Sequence, residues 1–159
     1  VDCYQYGLLM ESYFVSEYFE HTSLKEMLNK SLDREFLKEL AKITVHLHRS
    51  GVYHPDYSVG NILCNQTGNQ YSFSFVDLNR IKFEKVSPEK GLQNFSTLDV
   101  SEEILNILIE EYAKLSGLDP SEAQHAFFAY RKQIGRKRRA RRKMKSTIVG
   151  WRHSLFKKS

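Results

Sequence analysis

At 159 residues, 41% hydrophobic and 13% aromatic, the chain has the size and composition of one domain with a real core, which excludes a disordered polypeptide. No apolar run approaches the ~18 residues that cross a bilayer, the first residues lack a signal-peptide pattern, and Cys3 and Cys64 offer neither a disulfide framework nor metal-ligand spacing. The net charge of +5 conceals an asymmetry: residues 1–130 hold 11 Lys/Arg against 19 Asp/Glu, hence −8, whereas residues 131–159 hold 13 Lys/Arg and no acid, hence +13.

The chain opens on Val1 and soon reaches "YFVSEYF" (residues 13–19), whose aromatic and β-branched content predicts a buried strand, as expected of a processed or partial chain. The two cysteines read as half-buried thiols of a reducing compartment. Ser23 and Glu26 in "HTSLKEML" have the spacing of a capping box and open a short helix. Phe36, Leu37, Leu40, Ile43, Thr44 and Leu47 then recur at helical steps from about Asp33, and Gly51 ends that helix after Ser50. His46 and His48 are two apart and do not share a face, so they make a poor metal pair, and His46 reads as solvent-facing or core-edge.

"HPDYSVGN" follows as an irregular polar loop over residues 54–61. "NILCN" and "YSFSFVDL" around the turn formers of "QTGN" predict a β-hairpin. "VSPEKGLQNFSTLDV" reads as mostly loop with one helical turn. "SEEILNILIEEYAKLSG" is an amphipathic helix with Ile104, Leu105, Leu108, Tyr112 and Leu115 on one face. In "DPSEAQHAFFAYRKQ", Asp119 is the N-cap, Pro120 the first helical position and Glu122 an acid in the first turn, while Phe127, Phe128 and Tyr130 read as packing residues. "NQT" at Asn65 and "NFS" at Asn94 match a glycosylation pattern and, without a secretory signal, are read as chance. The chain divides by composition into residues 1–135 and a basic tail, 136–159.

One constellation carries chemistry. Phosphoryl transfer asks for a carboxylate beside the attacking hydroxyl and for oxygen ligands to Mg²⁺, which neutralises charge on the β- and γ-phosphates of ATP. Asp56 in the loop has the position of the base, Asn61 five residues later that of a metal ligand, and Asp77 at the end of the hairpin that of a second metal ligand. His54 reads as structural, holding the loop through a backbone hydrogen bond, and Arg80 either pairs with a carboxylate or contacts a sugar acid or phosphate.

With those residues in place the chain resembles the kinase fold. His54-Pro55-Asp56, four residues and Asn61 are similar to the H-R-D catalytic loop, and Asp77-Leu78-Asn79 to D-F-G. The Lys or Arg that protein kinases carry two or four residues after the catalytic Asp is replaced by Ser58 and Gly60, which argues against a protein substrate. "NILCN…YSFSFVDLNRIKFEKVSPEKGLQNF", with Arg80 three residues after Asp77, resembles the lipopolysaccharide-core (heptose and Kdo) kinases of Gram-negative bacteria over residues 13–139.

That resemblance implies an α+β, mostly helical fold: a kinase-like hinge and C-terminal lobe with a small β-hairpin, the N-terminal lobe largely missing. It implies ATP and Mg²⁺ as cofactors, the backbone of Glu17 and Phe19 facing adenine, Leu63 beneath it, and a lipopolysaccharide-core sugar or other glycolipid as acceptor. The location implied is cytoplasmic, peripheral on the inner face of the cytoplasmic membrane. Eight of the ten residues 136–145, "RKRRARRKMK", are basic and favour an anionic partner. Trp151, Leu155 and Phe156 among further cations suit an anionic membrane surface better than nucleic acid. The alternative is a catalytically silent kinase-like module that binds membrane or nucleic acid through this tail.

Overall fold

The computed structural model describes residues 2–12, 21–28 and 34–156. In chain order the elements are β1 (Asp2–Gln5), β2 (Leu8–Ser12), β3 (Thr22–Ser23), α1 (Leu24–Leu28), α2 (Arg34–Arg49), β4 (Val52–Tyr53), β5 (Ile62–Thr67), β6 (Gln70–Phe75), β7 (Lys82–Phe83), α3 (Pro88–Leu92), α4 (Glu102–Ser116) and α5 (Pro120–Phe156), with 3₁₀ turns at Leu78–Arg80 and Gln93–Thr97. The chain is mostly helical, as expected, with antiparallel pairs β1–β2, β3–β5, β5–β6 and β4–β7. The strand expected over residues 13–19, with Glu17 and Phe19, lies outside the described residues, as does Asp33.

Local signals account for several of these elements. Ser23 Oγ accepts from the Glu26 amide at 3.2 Å and starts α1, as the capping-box spacing predicts. β5 and β6 form the expected hairpin around Gly68, whose φ of +61° suits a residue without a Cβ. Asp119 Oδ1 accepts from the Glu122 amide at 2.9 Å with Pro120 opening α5. α5 continues as one helix through the basic segment to Phe156.

The core forms where α2 packs on α4 and the first part of α5 packs on α4. α2 buries Phe36, Leu37, Leu40, Ala41, Thr44, Val45 and His48. Ile43 and Leu47, expected in that stripe, are half-buried at its edge, and His46 is exposed. α4 buries Leu105, Leu108, Ile109, Tyr112 and Ala113. Leu115, expected on that face, is 40% exposed: it lies in the last turn, where Arg49 from the end of α2 donates to its carbonyl (2.6 Å).

The segment expected to be mostly loop is better ordered than its composition suggests. Ser87 caps α3, its Oγ accepting from the Lys90 amide at 3.3 Å, and Pro88 takes the first helical position. The 3₁₀ turn follows directly, and Leu92, Phe95 and Leu98 are buried against α4 and α5. Tertiary burial of those three side chains, which a local reading does not see, decides the conformation. Phe127 is buried with Phe128 edge-on to it at 5.2 Å, so this pair packs as expected. Cys64 is buried, and Cys3, expected to be half-buried, is exposed on β1.

Candidate active site

Strand pairing assembles the site. The loop of residues 54–61 runs from β4 to β5, and residues 76–81 run from β6 to β7. β5 pairs with β6 and β4 with β7, with Ile62 opposite Phe75 and Tyr53 opposite Lys82. Two ladders that flank two loops on both sides force those loops face to face. The Val76 amide donates to the Asn61 carbonyl (3.1 Å) and the Glu84 amide to the Gly51 carbonyl (2.8 Å). Gly51 has φ +75°, and a Cβ there would lie 3.3 Å from the Glu84 carbonyl, so this junction requires glycine.

Within the first loop the backbone folds back on itself around Asp56. The Ser58 amide donates to the Asp56 carbonyl (2.8 Å), and the Asn61 amide donates to the Ser58 carbonyl (3.0 Å). Asn61 Nδ2 also donates to the Asp56 carbonyl at 2.9 Å. Because that partner can only accept, the Asn61 side-chain nitrogen is committed to it, and the Asn61 Oδ1 is left to face a cation or a donor. Asp77 adopts the left-handed conformation (φ 58°, ψ 51°), which Asp tolerates better than most residues. Arg80 joins the two acids: its Nη1 is 3.7 Å from Asp56 Oδ2 and its Nε is 3.9 Å from Asp77 Oδ2. Arg80 thus has the carboxylate partners anticipated for it. Both contacts are long and solvent-exposed and bind the guanidinium weakly.

Leu63, predicted to lie beneath adenine, is half-buried on β5 opposite Ser23 and Ser74, on the other face of the strand from the buried Ile62 and Cys64. Glu17 and Phe19 are outside the described residues.

A buried scaffold holds the loop. His54 is 3% exposed, and its Nε2–H donates to the Val76 carbonyl at 2.9 Å, the structural role anticipated for it. Tyr57, next to Asp56, is 1% exposed, stacks on Phe75 and meets Phe95 edge-on. Burial pushes its phenol well above the ordinary tyrosine value. Thr97 Oγ1 donates to the Tyr57 carbonyl at 2.6 Å. Asn94, from the 3₁₀ turn, is 1% exposed and donates through Nδ2 to the His54 carbonyl at 2.8 Å. Asn94 Oδ1 in turn contacts His48 Nε2 (2.8 Å), and His48 Nδ1 contacts the Tyr112 hydroxyl (2.9 Å). Burial lowers the His48 pKa, opposed by its bond to Asn94, and raises that of Tyr112 to about 12.

The sequence reading missed Tyr57, Thr97, Asn94, His48 and Tyr112 as supports of the site. Asn94 stood in a chance glycosylation pattern, and nothing local to it announces a partner 40 residues away.

Among the described residues no group of three or more His, Cys, Asp or Glu is placed to hold a metal ion. Asn61 and Asp77 nevertheless fit Mg²⁺, which takes hard oxygens and is commonly held by one or two protein ligands, with water and substrate phosphates completing the shell. The donor chemistry of Asn61 Oδ1 and the Asp77 carboxylate is of that kind.

The model of the lipopolysaccharide kinase (Kdo/WaaP) family matches residues 3–138. The chain belongs to that family. Among solved structures it is similar to WaaP in complex with acyl carrier protein, at 15% identity and a TM-score of 0.59, over 76% of this chain and 58% of that one. At this identity the likeness is one of fold: a mostly helical, partial kinase-like domain spanning 58% of the WaaP chain. A search of curated proteins finds no match. Among the described residues of this family member, no helix is long and apolar enough to cross a membrane.

Proposed function

We propose that this chain carries the catalytic loop and metal-binding acid of an ATP-dependent phosphotransferase acting on a sugar hydroxyl of lipopolysaccharide core. The observation that carries the reading is the convergence of Asp56 and Asp77, from two separate loops, on one guanidinium, with Asn61 tied to the Asp56 carbonyl. Asp56 accepts the proton of the attacking hydroxyl. Asn61 and Asp77 hold Mg²⁺, which when bound neutralises charge on the β- and γ-phosphates. Leu63 lines the adenine side. Arg80 balances the two carboxylates and is placed to meet an anionic group of the acceptor. Ser58 and Gly60, standing where protein kinases carry a cation, support a sugar over a protein acceptor.

The basic part of α5 supports an anionic membrane surface as the place where a lipid-anchored acceptor is met, each Lys or Arg near such a surface contributing ~1 kcal/mol. Because the WaaP structure holds an acyl carrier protein, such a carrier is a second candidate partner.

The test is phosphate transfer to lipopolysaccharide-core acceptors by the native protein and two variants. Asp56→Ala should lower kcat by ~10²–10⁴-fold and leave ATP affinity nearly unchanged. Asp77→Ala should weaken Mg-ATP binding. Substantial turnover by Asp56→Ala would remove the assignment of the base, and no transfer by the native protein would favour the silent, tail-binding alternative.

A further inference from the structure

The His54 carbonyl ends a chain of hydrogen bonds whose directions are all determined. A carbonyl can only accept, so Asn94 must present Nδ2 to it (2.8 Å) and turn Oδ1 toward His48. Asn94 Oδ1 then accepts from His48 Nε2–H at 2.8 Å. The neutral imidazole has its other nitrogen bare, so His48 Nδ1 accepts from the Tyr112 hydroxyl at 2.9 Å. Burial, which lowers the His48 pKa, favours the neutral ring that this order requires. The relay joins α4, α2 and the 3₁₀ turn to the loop that holds Asp56, and its three side chains are all buried.

A second observation shows how closely the relay is fitted. Gly91 of α3 lies against the Tyr112–His48 bond: a Cβ there would stand 2.5 Å from His48 Nδ1 and inside contact distance of the Tyr112 hydroxyl. Any other residue at 91 displaces one of these partners. Asn94 meanwhile uses both ends of its amide, so aspartate has its shape but sets an oxygen against the His54 carbonyl.

We propose that Asn94, with His48 and Tyr112 behind it, is a positioning residue of the site: the relay sets the His54 carbonyl and through it the direction in which Asp56, two residues on, presents its carboxylate. The inference rests on the phosphotransferase reading for its kinetic consequence, though not for its structural one. Misplacing a reacting group by about 1 Å costs ~10²-fold in rate, and a tilted loop would do so while Asp77, on the other loop, keeps its place.

The experiment compares Asn94→Asp, His48→Leu, His48→Gln and Gly91→Ala in the native protein, reading kcat, the KM for ATP and amide hydrogen exchange of residues 56–61. Asn94→Asp, His48→Leu and Gly91→Ala should lower kcat by ~10²-fold with the KM for ATP changed far less than kcat, and should speed exchange at the Ser58 and Asn61 amides while the α4 amides stay protected. His48→Gln restores one donor and one acceptor in line and should recover most of the rate. A merely structural role would lower stability in all four variants and leave the folded fraction at wild-type kcat. Wild-type loop exchange and kcat in Asn94→Asp, or equal kcat in His48→Leu and His48→Gln, would overturn the proposal. Should Asn94→Asp fail to fold, the His48 pair decides. Should the wild-type protein transfer no phosphate, the functional reading falls, and loop exchange alone still decides the relay.

Discussion

The buried contact between Tyr57 and Thr44 predicts an asymmetry that stability measurements can read. Thr44 Oγ1 lies 2.6 Å from the Leu40 carbonyl, which can only accept, so the threonine hydroxyl donates there. The Tyr57 hydroxyl, 2.5 Å from Thr44 Oγ1, must then be the donor between the two. Tyr57→Phe removes that donor and leaves the Thr44 hydrogen satisfied, so it costs only the net worth of one hydrogen bond, ~1 kcal/mol. Thr44→Val keeps the shape of the helix face and strands the Tyr57 hydroxyl, on a residue 1% exposed, without its acceptor. That desolvation penalty is ~1–3 kcal/mol, so Thr44→Val should cost about twice as much. Removing both partners orphans nothing, and the double variant should return close to Tyr57→Phe alone. Urea unfolding of the three variants at a shared m-value gives the cycle. A Tyr57→Phe loss equal to or larger than that of Thr44→Val would refute the donor assignment.

Two further outcomes follow from the charges. His48, stacked near Tyr53 and bonded to Asn94 and Tyr112, has a folded pKa below its unfolded value of ~6.5, because burial disfavours the cation. The unfolded chain therefore binds more protons between the two values: the stabilisation is fully present above pH ~6.5 and is lost as pH falls through the folded pKa. Urea midpoints from pH 7.5 to 5 should fall more steeply for wild type than for His48→Gln, and parallel curves would refute the sign. The basic part of α5 should give the native protein retention on anionic vesicles that weakens as salt rises. Tighter retention on a nucleic-acid duplex at the same salt would overturn the membrane reading.

The sequence by itself determined what depends on neighbours in the chain. The α1 and α5 starts follow from Ser23 and Asp119 bonding amides three residues on, and the β5–β6 hairpin from a Gly-Asn turn between two apolar runs. It also singled out Asp56, Asn61 and Asp77 as candidates, because their types and spacing suit Mg-nucleotide binding. The division of charge between body and tail needed only counting.

Tertiary structure decided which of those residues meet and what holds them. Leu115 satisfies the helical period and is still exposed, because the period says nothing about where the opposing helix ends. Residues 86–100 lack a strong local pattern and are ordered by the burial of Leu92, Phe95 and Leu98. The supports of the loop come from far along the chain, Asn94 bonding His54 across 40 residues and Tyr112 bonding His48 across 64. A buried polar group must find its partner wherever the fold brings one. That requirement leaves no trace in local spacing, and only the packed structure shows how it is met.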